Sequence, residues 1–352
     1  MARLAIFPEQ IGDLNIHIAN TPMWPFPNTQ GSASLEKSNM HFALGLALAL
    51  RGSKAQVTYY CAGDFDVASY APSIPLNVIS LLLAGIRERR DWPEKTARHV
   101  EDQYYSRFYE HAIKEGANII IVGGDAQSFR EAAALSLLLP STRFFCHVHG
   151  IQSSVPMHRE AYLSGNPYMH YIALSKAQMS VDPALRYAGF VYNSLHPSEF
   201  SLQKETSAYT YRVDGRTRTV SPNYLLFVGR LNRQKGVHRA IAAATSAHIP
   251  LLIAGPIAAQ EWDPHYFADE IAPFIDDRQI IYLGELNTRE LDNVYRGAAA
   301  LLFPIQWEEP FGFVTIEAMA RGVPVIAPPL GAMQEIIPVS YTHLTLPTIL
   351  RV

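Results

Sequence analysis

The chain has 352 residues, of which 48% are apolar and 17% charged; 29 lysines and arginines against 32 aspartates and glutamates leave a net charge of −3. At roughly 150 residues per domain this length points to two domains, and so apolar a composition excludes a disordered chain or an extended coiled coil. The balanced charge offers no polyanion-binding face, so nucleic acid is not an expected partner. Cys61 and Cys146 both lie inside apolar runs and read as reduced core thiols. No apolar run reaches the ~18 residues of a membrane-spanning helix, and the start "MARLAIFPEQ" is too short in apolar residues for a signal peptide. The expectation is a soluble, cytoplasmic protein without membrane association.

In chain order, short apolar runs alternate with helical patterns, the signature of parallel sheets covered by helices. In the first half "RLAIF", "AQVTYY", "NIIIV", "RFFCHVH" and "YIAL" read as strands. A helix with the stripe Leu35, Phe42, Ala43, Leu46, Ala47 and Leu50 separates the first two and stops at Gly52; another runs from Pro93 to Gly116. Apolar density drops between Ser201 and Val220, where "YTYRVDGRTRTV" predicts a hairpin turning at Asp214-Gly215. The rhythm then becomes regular: strands "YLLFV", "PLLIA", "IIYL", "ALLF" and "PVIA", with helices from Gln234, near residue 265, from Thr288 and from Gly312. Five strands with four crossovers predict a Rossmann-like sheet. The expected organisation is a first Rossmann-like domain over 1–200, a linker over 201–221 and a second domain over 222–338. The tail "VSYTHLTLPTILRV", residues 339–352, carries no helical stripe, resembles translated adapter sequence and is read as non-native.

Two stretches of the second half carry chemistry. In "LLFVGRLNRQKGVHRAI" a strand ends at Val228, Gly229 makes a tight turn, and Arg230 and Lys235 flank a loop that enters a helix. Ligands of open parallel sheets sit at the carboxyl ends of strands, where a helix start attracts phosphate and two cations reinforce it. Two solvated basic residues in a surface loop are the plain alternative. In "PIQWEEPFGFVTIEAMARGVPVIA" Glu309 and Glu317 are eight residues apart, one in a loop and one inside the helix begun by Gly312. At ~1.5 Å per residue they stand roughly 10 Å apart along the helix, a span suited to a pyrophosphate with a hydroxyl-binding carboxylate at each end.

With "GRLNRQKG" followed by "EPFGFVTIEAMARGVPVIA", the chain resembles a retaining glycosyltransferase of family 4, within the group 1 glycosyl transferases. The resemblance implies an α/β fold of two Rossmann-like domains facing across a cleft, the GT-B architecture, with the second domain incomplete at its C-terminus. It implies transfer of a hexose with retention from a UDP-glucose or GDP-mannose type donor to an unknown acceptor: a sugar, a lipid-linked sugar or a small molecule. Arg230 and Lys235 would hold the donor diphosphate beside Gly229, Glu309 the transferred sugar and Glu317 the ribose. Backbone amides at Phe311, Gly312 and Phe313 would meet sugar and phosphate. In the first half, His149 of "HVHG" aligns with the family's strand-end histidine, and Gly31 of "NTQGSAS" resembles its glycine loop, although Ser32 replaces the usual second glycine. "YNSLHPSEF" likewise carries Ser194 where the family's turn has glycine. The implied attack is on the front face, with the leaving phosphate taking the acceptor's proton.

No cofactor and no metal is expected. The pair His147 and His149 lacks a third ligand at plausible spacing for zinc, and Asp64 and Asp66 of "DFD" read as loop caps beside an intact phosphate loop. Neither G-x-G-x-x-G nor a Walker A loop occurs. A fragment that only binds nucleotide and an epimerase of the same fold remain alternatives. Trp24 and Phe26 could stack on an acceptor sugar or anchor their own loop.

Overall fold

The computed structural model describes residues 14–19, 46, 55–61, 77–81, 94–123, 126–150, 169–181, 183, 185–195, 207–213, 215–257, 263 and 265–337. The chain divides into two compact units, the change falling between Ser194 and Leu195.

The first unit carries a parallel sheet of seven strands: β1 (Asn15–Ala19), β2 (Gln56–Cys61), β3 (Asn77–Ser80), β4 (Ile119–Gly123), β5 (Arg143–His147), β6 (Met169–Ala173) and β7 (Tyr187–Phe190), in the order β3-β2-β1-β4-β5-β6-β7. Every pairing is parallel. The order reverses direction between β1 and β4, which makes the sheet doubly wound. Helix α1 (Glu94–Lys114) lays Tyr104, Tyr105, Phe108, Tyr109 and Ala112 on the sheet, a stripe at the helical repeat. Its tyrosines can be buried because their hydroxyls find acceptors: Tyr104 donates to the Tyr60 carbonyl at 3.0 Å and Tyr109 to the Ser128 carbonyl at 2.8 Å. Helix α2 (Ala126–Leu138) adds Phe129 and Ala132 to the same core, and the short helix α3 (Lys176–Val181) follows β6.

Three strands of this sheet escape the sequence pattern. β1, "NIHIA", interleaves Asn15 and His17 with apolar residues, and β3 and β7 are four residues each. "RLAIF", Gly31, Gly52, the "DFD" pair, Trp24, Phe26 and 339–352 lie outside the described residues; of the first helical stripe only Leu46 is described, and it is helical. "RFFCHVH" ends as a strand at His147, two residues earlier than expected.

The second unit opens with the hairpin β8 (Tyr209–Val213) and β9 (Arg216–Val220). It is not a free connector. Tyr211 and Arg218 both donate to the Asp277 carbonyl, at 3.1 and 2.7 Å, and Val220 enters the core. The five-stranded sheet that follows comprises β10 (Tyr224–Val228), β11 (Leu251–Ala254), β12 (Ile280–Gly284), β13 (Ala298–Leu302) and β14 (Val325–Ile326), ordered β12-β11-β10-β13-β14 and parallel throughout. Its strands are near-continuous apolar runs because one core cluster lies on each face.

The helical crossovers are α4 (Val237–Ala247), α5 (Thr288–Gly297) and α6 (Phe313–Ala320), and the one-turn helix α7 (Met333–Ile336) follows β14. The helix expected near residue 265 is a π turn over Phe267–Ile271 followed by a 3-10 turn over Ala272–Phe274 that contains Pro273. The helix expected from Gln234 is likewise delayed. Arg233–Lys235 form a 3-10 turn capped by Asn232, Gly236 turns left-handed at φ 74°, and the α-helix starts only at Val237. A side chain at Gly236 would meet the Pro304 carbonyl, 2.0 Å from an ideal Cβ.

Candidate donor site

Strands β10 and β13 are neighbours at the point where the strand order of the second sheet reverses, so the loops leaving their carboxyl ends lead to helices on opposite faces, at the position where open parallel sheets bind ligands. The loop after β10 carries Gly229, Arg230 and Lys235; the loop after β13 carries Trp307, Glu308, Glu309 and Phe311 and enters α6 through Gly312. Gly312 sits at φ 81° as the N-cap of α6, in space closed by Met333 and Phe303. Gly236 caps α4 beside the same loops, so two helix starts, with the positive ends of their dipoles, lie there; at the α4 start the Tyr266 hydroxyl accepts from His238 N–H at 3.2 Å.

The two loops are stitched together. The Gln306 amide donates to the Gln234 carbonyl at 2.7 Å, and its side-chain Nε2 donates to the Arg233 carbonyl at 2.7 Å. The Glu309 segment is held from its other side: Gly331 N–H donates to Glu308 Oε2 at 2.6 Å and Ala332 N–H to the Glu309 carbonyl at 2.9 Å. Arg233 reaches outward instead, pairing with Asp263 and Glu270 and stacking over Tyr266 at 5.2 Å, which ties the loop to the π turn. Tyr266 in turn hydrogen-bonds His238 Nδ1 at 2.7 Å.

Within this frame Lys235 and Glu309 meet. Lys235 Nζ lies 2.5 Å from Glu309 Oε2, and both side chains are nearly buried, 12% and 10% exposed. The family resemblance implies separate ligand groups for them, the diphosphate for Lys235 and the transferred sugar for Glu309; the structure joins the two side chains as one ion pair. Trp307 Nε1 donates to the same Glu309 oxygen at 2.9 Å. The Lys235 ammonium stands 5.0 Å from the Trp307 ring centre and 5.5 Å from that of Phe303. Glu317 is half-buried on α6, where its charge adds to burial in raising the Tyr295 phenol far above its ordinary range. Arg230 is half-buried directly after Gly229, and Phe311 is buried beside a half-buried Phe313. Trp307 carried no motif signal; only its place two residues before Glu309 could have drawn attention to it.

In the first unit, His149 lies just past β5. His147 Nδ1 and His149 Nε2 hydrogen-bond, with ring centres 4.5 Å apart. Burial drives the His149 pKa down to about 3, and burial followed by the His149 neighbour takes His147 well below its usual range, so both imidazoles are neutral at pH 7. Gly123, opposite His147 in register, leaves room for that ring, since a Cβ there would fall 1.8 Å from it. The turn carrying His149 is fixed by buried Gln178, whose Nε2 donates to the Val148 and Gly150 carbonyls at 3.0 Å each while its Oε1 accepts from Leu174 N–H at 2.6 Å. Gln178 was not singled out from the sequence, where it is one polar residue in a helical stretch. Among the described residues no group of three or more His, Cys, Asp or Glu side chains could hold a metal ion, and no helix is long and apolar enough to cross a membrane.

Residues 216–344 match the family model described as Glycosyl transferases group 1. A stretch of 156 residues is 31% identical to an uncharacterized glycosyltransferase of Methanocaldococcus jannaschii, covering 42% of this chain and 37% of that protein. Another of 125 residues is 37% identical to a glycogen synthase of Mycobacterium tuberculosis, covering 34% and 29%. The match thus spans about a third of the length of these curated relatives. Among solved structures, sucrose-phosphate synthase from Thermosynechococcus elongatus superposes with a TM-score of 0.60 at 19% identity, covering 92% of this chain and 83% of that one. The Anabaena HepE protein in complex with UDP-glucose gives 0.60 at 16% identity, covering 92% and 82%. The α/β fold of this chain, with its two parallel sheets, is the GT-B fold of such glycosyltransferase structures.

Proposed function

We propose that the chain is a retaining hexosyltransferase of family 4 that binds a nucleotide-sugar donor at the carboxyl ends of β10 and β13. The observation that carries this reading is the convergence, at one switch point, of two helix starts with the buried pair Lys235 and Glu309. Helix starts and a lysine favour a diphosphate, and a carboxylate next to them accepts hydrogen bonds from sugar hydroxyls. The sequence match over 216–344 covers this region, and relatives of the same fold include one crystallised with UDP-glucose.

In the reaction, the bond between the anomeric carbon and the diphosphate oxygen breaks as that carbon bonds to the acceptor oxygen on the same face. The acceptor's proton passes to the departing phosphate. Negative charge grows on that phosphate in an oxocarbenium-like transition state, where Arg230, Lys235 and the backbone N–H groups from Phe311 to Phe313 are placed to meet it. Each well-placed donor of this kind contributes ~3 kcal/mol in a water-poor site. Glu317 takes the ribose and Glu309 the sugar. The donor is of the UDP-glucose or GDP-mannose type, no metal or cofactor takes part, and the protein works in the cytoplasm.

A panel of UDP- and GDP-sugars, scored for nucleotide release with and without candidate acceptors, tests the reading. Acceptor-dependent release from one donor, with product of unchanged anomeric configuration, is the expected result. Inversion of configuration overturns retention, and acceptor-independent interconversion of the donor sugar overturns transfer altogether.

A further inference from the structure

Trp307, Lys235 and Glu309 form a closed triangle: the indole N–H donates to the carboxylate, the ammonium pairs with the same oxygen, and the indole face lies 5.0 Å from the ammonium. The carboxylate is nearly buried, so water cannot readily replace a lost partner. A diphosphate that recruits Lys235 has to draw the ammonium away from Glu309. A carboxylate losing its only strong partner would then be an uncompensated buried charge, free to rotate. Glu309 has a second partner, and that partner is rigid: an indole has few torsions, and its N–H points in one direction.

We propose that Trp307 is a positioning residue of the donor site. Its N–H holds the Glu309 carboxylate in place when Lys235 turns to the ligand's phosphate, so that the free oxygen meets the hydroxyls of the donor sugar. The inference rests on the nucleotide-sugar reading and adds a residue to it.

Calorimetric titration with UDP and with UDP-glucose, or with GDP and GDP-mannose if that pair binds the unaltered protein, separates the contributions of phosphate and sugar. Trp307→Phe keeps an aromatic face for Lys235 and removes the N–H. It is expected to leave affinity for the free nucleotide within about twofold and to weaken the nucleotide sugar about tenfold, the worth of one hydrogen bond to a charged group. Trp307→His, which retains a ring and an N–H, should recover most of that loss. Glu309→Gln should tighten free nucleotide, because Lys235 no longer has a competing carboxylate, and adding Trp307→Phe to it should change nucleotide-sugar affinity by less than about twofold. Equal weakening of nucleotide and nucleotide sugar by Trp307→Phe, or full additivity with Glu309→Gln, overturns the proposal. Should Trp307→Phe melt below the assay temperature, Trp307→Leu carries the same comparison. If the unaltered protein binds none of the four ligands, the donor-site reading falls and takes the proposal with it; if it binds them and Trp307→Phe matches it throughout, the proposal alone falls.

Discussion

At the scale of single residues, the proposed donor site is governed by which groups share Glu309. Lys235→Gln removes the cation nearest the proposed diphosphate and leaves Glu309 as a nearly buried charge held only by Trp307. It should weaken binding of free UDP or GDP about tenfold or more and also lower the melting temperature. Glu317→Ala should weaken the nucleotide without that loss of stability, because the Glu317 side chain is half-buried and its main-chain carbonyl still accepts from Arg321 at 3.0 Å. Titration calorimetry and thermal melts of the two variants check both outcomes; a stability loss confined to Glu317→Ala would reverse the assignment. A second residue-scale test concerns His17. Its Nδ1 hydrogen-bonds the Tyr60 hydroxyl at 2.7 Å and its Nε2 the Asn15 side-chain oxygen at 3.1 Å, while the same hydroxyl meets His111 Nδ1 at 2.8 Å. Because Asn15 offers an acceptor, His17 carries its proton on Nε2 and takes the Tyr60 proton at Nδ1, leaving Tyr60 to accept from His111. Burial, then His111, lowers the His17 pKa to about 4 against the opposing charge of Glu115. A histidine with a lowered folded pKa stabilises the fold fully above its unfolded value of about 6.5, and that contribution is lost as pH falls toward 4. Urea midpoints should therefore drop between pH 7 and pH 4, and His17→Gln should flatten that part of the profile. An unchanged slope in the variant would remove His17 from the account.

At the scale of elements, the second sheet shows how local signals and tertiary contacts divide the work. Helix α5 is announced by its own sequence: Asn287 accepts from Glu290 N–H at 3.0 Å and the Glu290 side chain accepts from Asn287 N–H at 2.8 Å, a capping box. Asn287→Ala should cost about 1 kcal/mol in chemical denaturation, since one backbone donor at the helix start loses its partner. Helix α4 is different. Its amphipathic face was legible, but its first turn is set by Gly236 against Pro304, a contact from another loop that no local pattern contains. Residues 267–274 keep a helical apolar spacing and yet form a π turn followed by a 3-10 turn. The hairpin β8–β9 was legible from alternation and its Asp214-Gly215 turn; its docking on the Asp277 carbonyl was not.

At the scale of the whole molecule, each unit carries its own parallel sheet and core, and the proposed chemistry of the donor lies in the second. With Arg230, Lys235 and two helix starts as its positive groups, the proposed site would neutralise a diphosphate without a bound metal cation. Transfer should therefore persist in excess EDTA at an unchanged rate. Loss of activity that manganese restores would shift the diphosphate to a metal and revive the "DFD" pair as its ligands.

Much of this protein was fixed by its sequence alone. Apolar runs at regular spacing specified the five parallel strands of the second sheet, because strands buried on both faces must be continuously apolar. The loops bearing Gly229, Arg230, Lys235, Glu309 and Gly312, and Glu317 on the helix behind the second of them, could be located because each loop follows such a strand and enters a helix. Strands β1, β3 and β7 could not, since β1 mixes polar residues into its buried run, β3 has only Val78 and Ile79 between Asn77 and Ser80, and β7 is interrupted by Gly189. Only the tertiary structure decided that Lys235 and Trp307 share one carboxylate oxygen of Glu309, and that Gln178 holds the turn of His149. Lys235 and Glu309 are 74 residues apart and meet because β10 and β13 lie side by side in the sheet. Strand order is set by the packing of the whole sheet, and no window of sequence contains it.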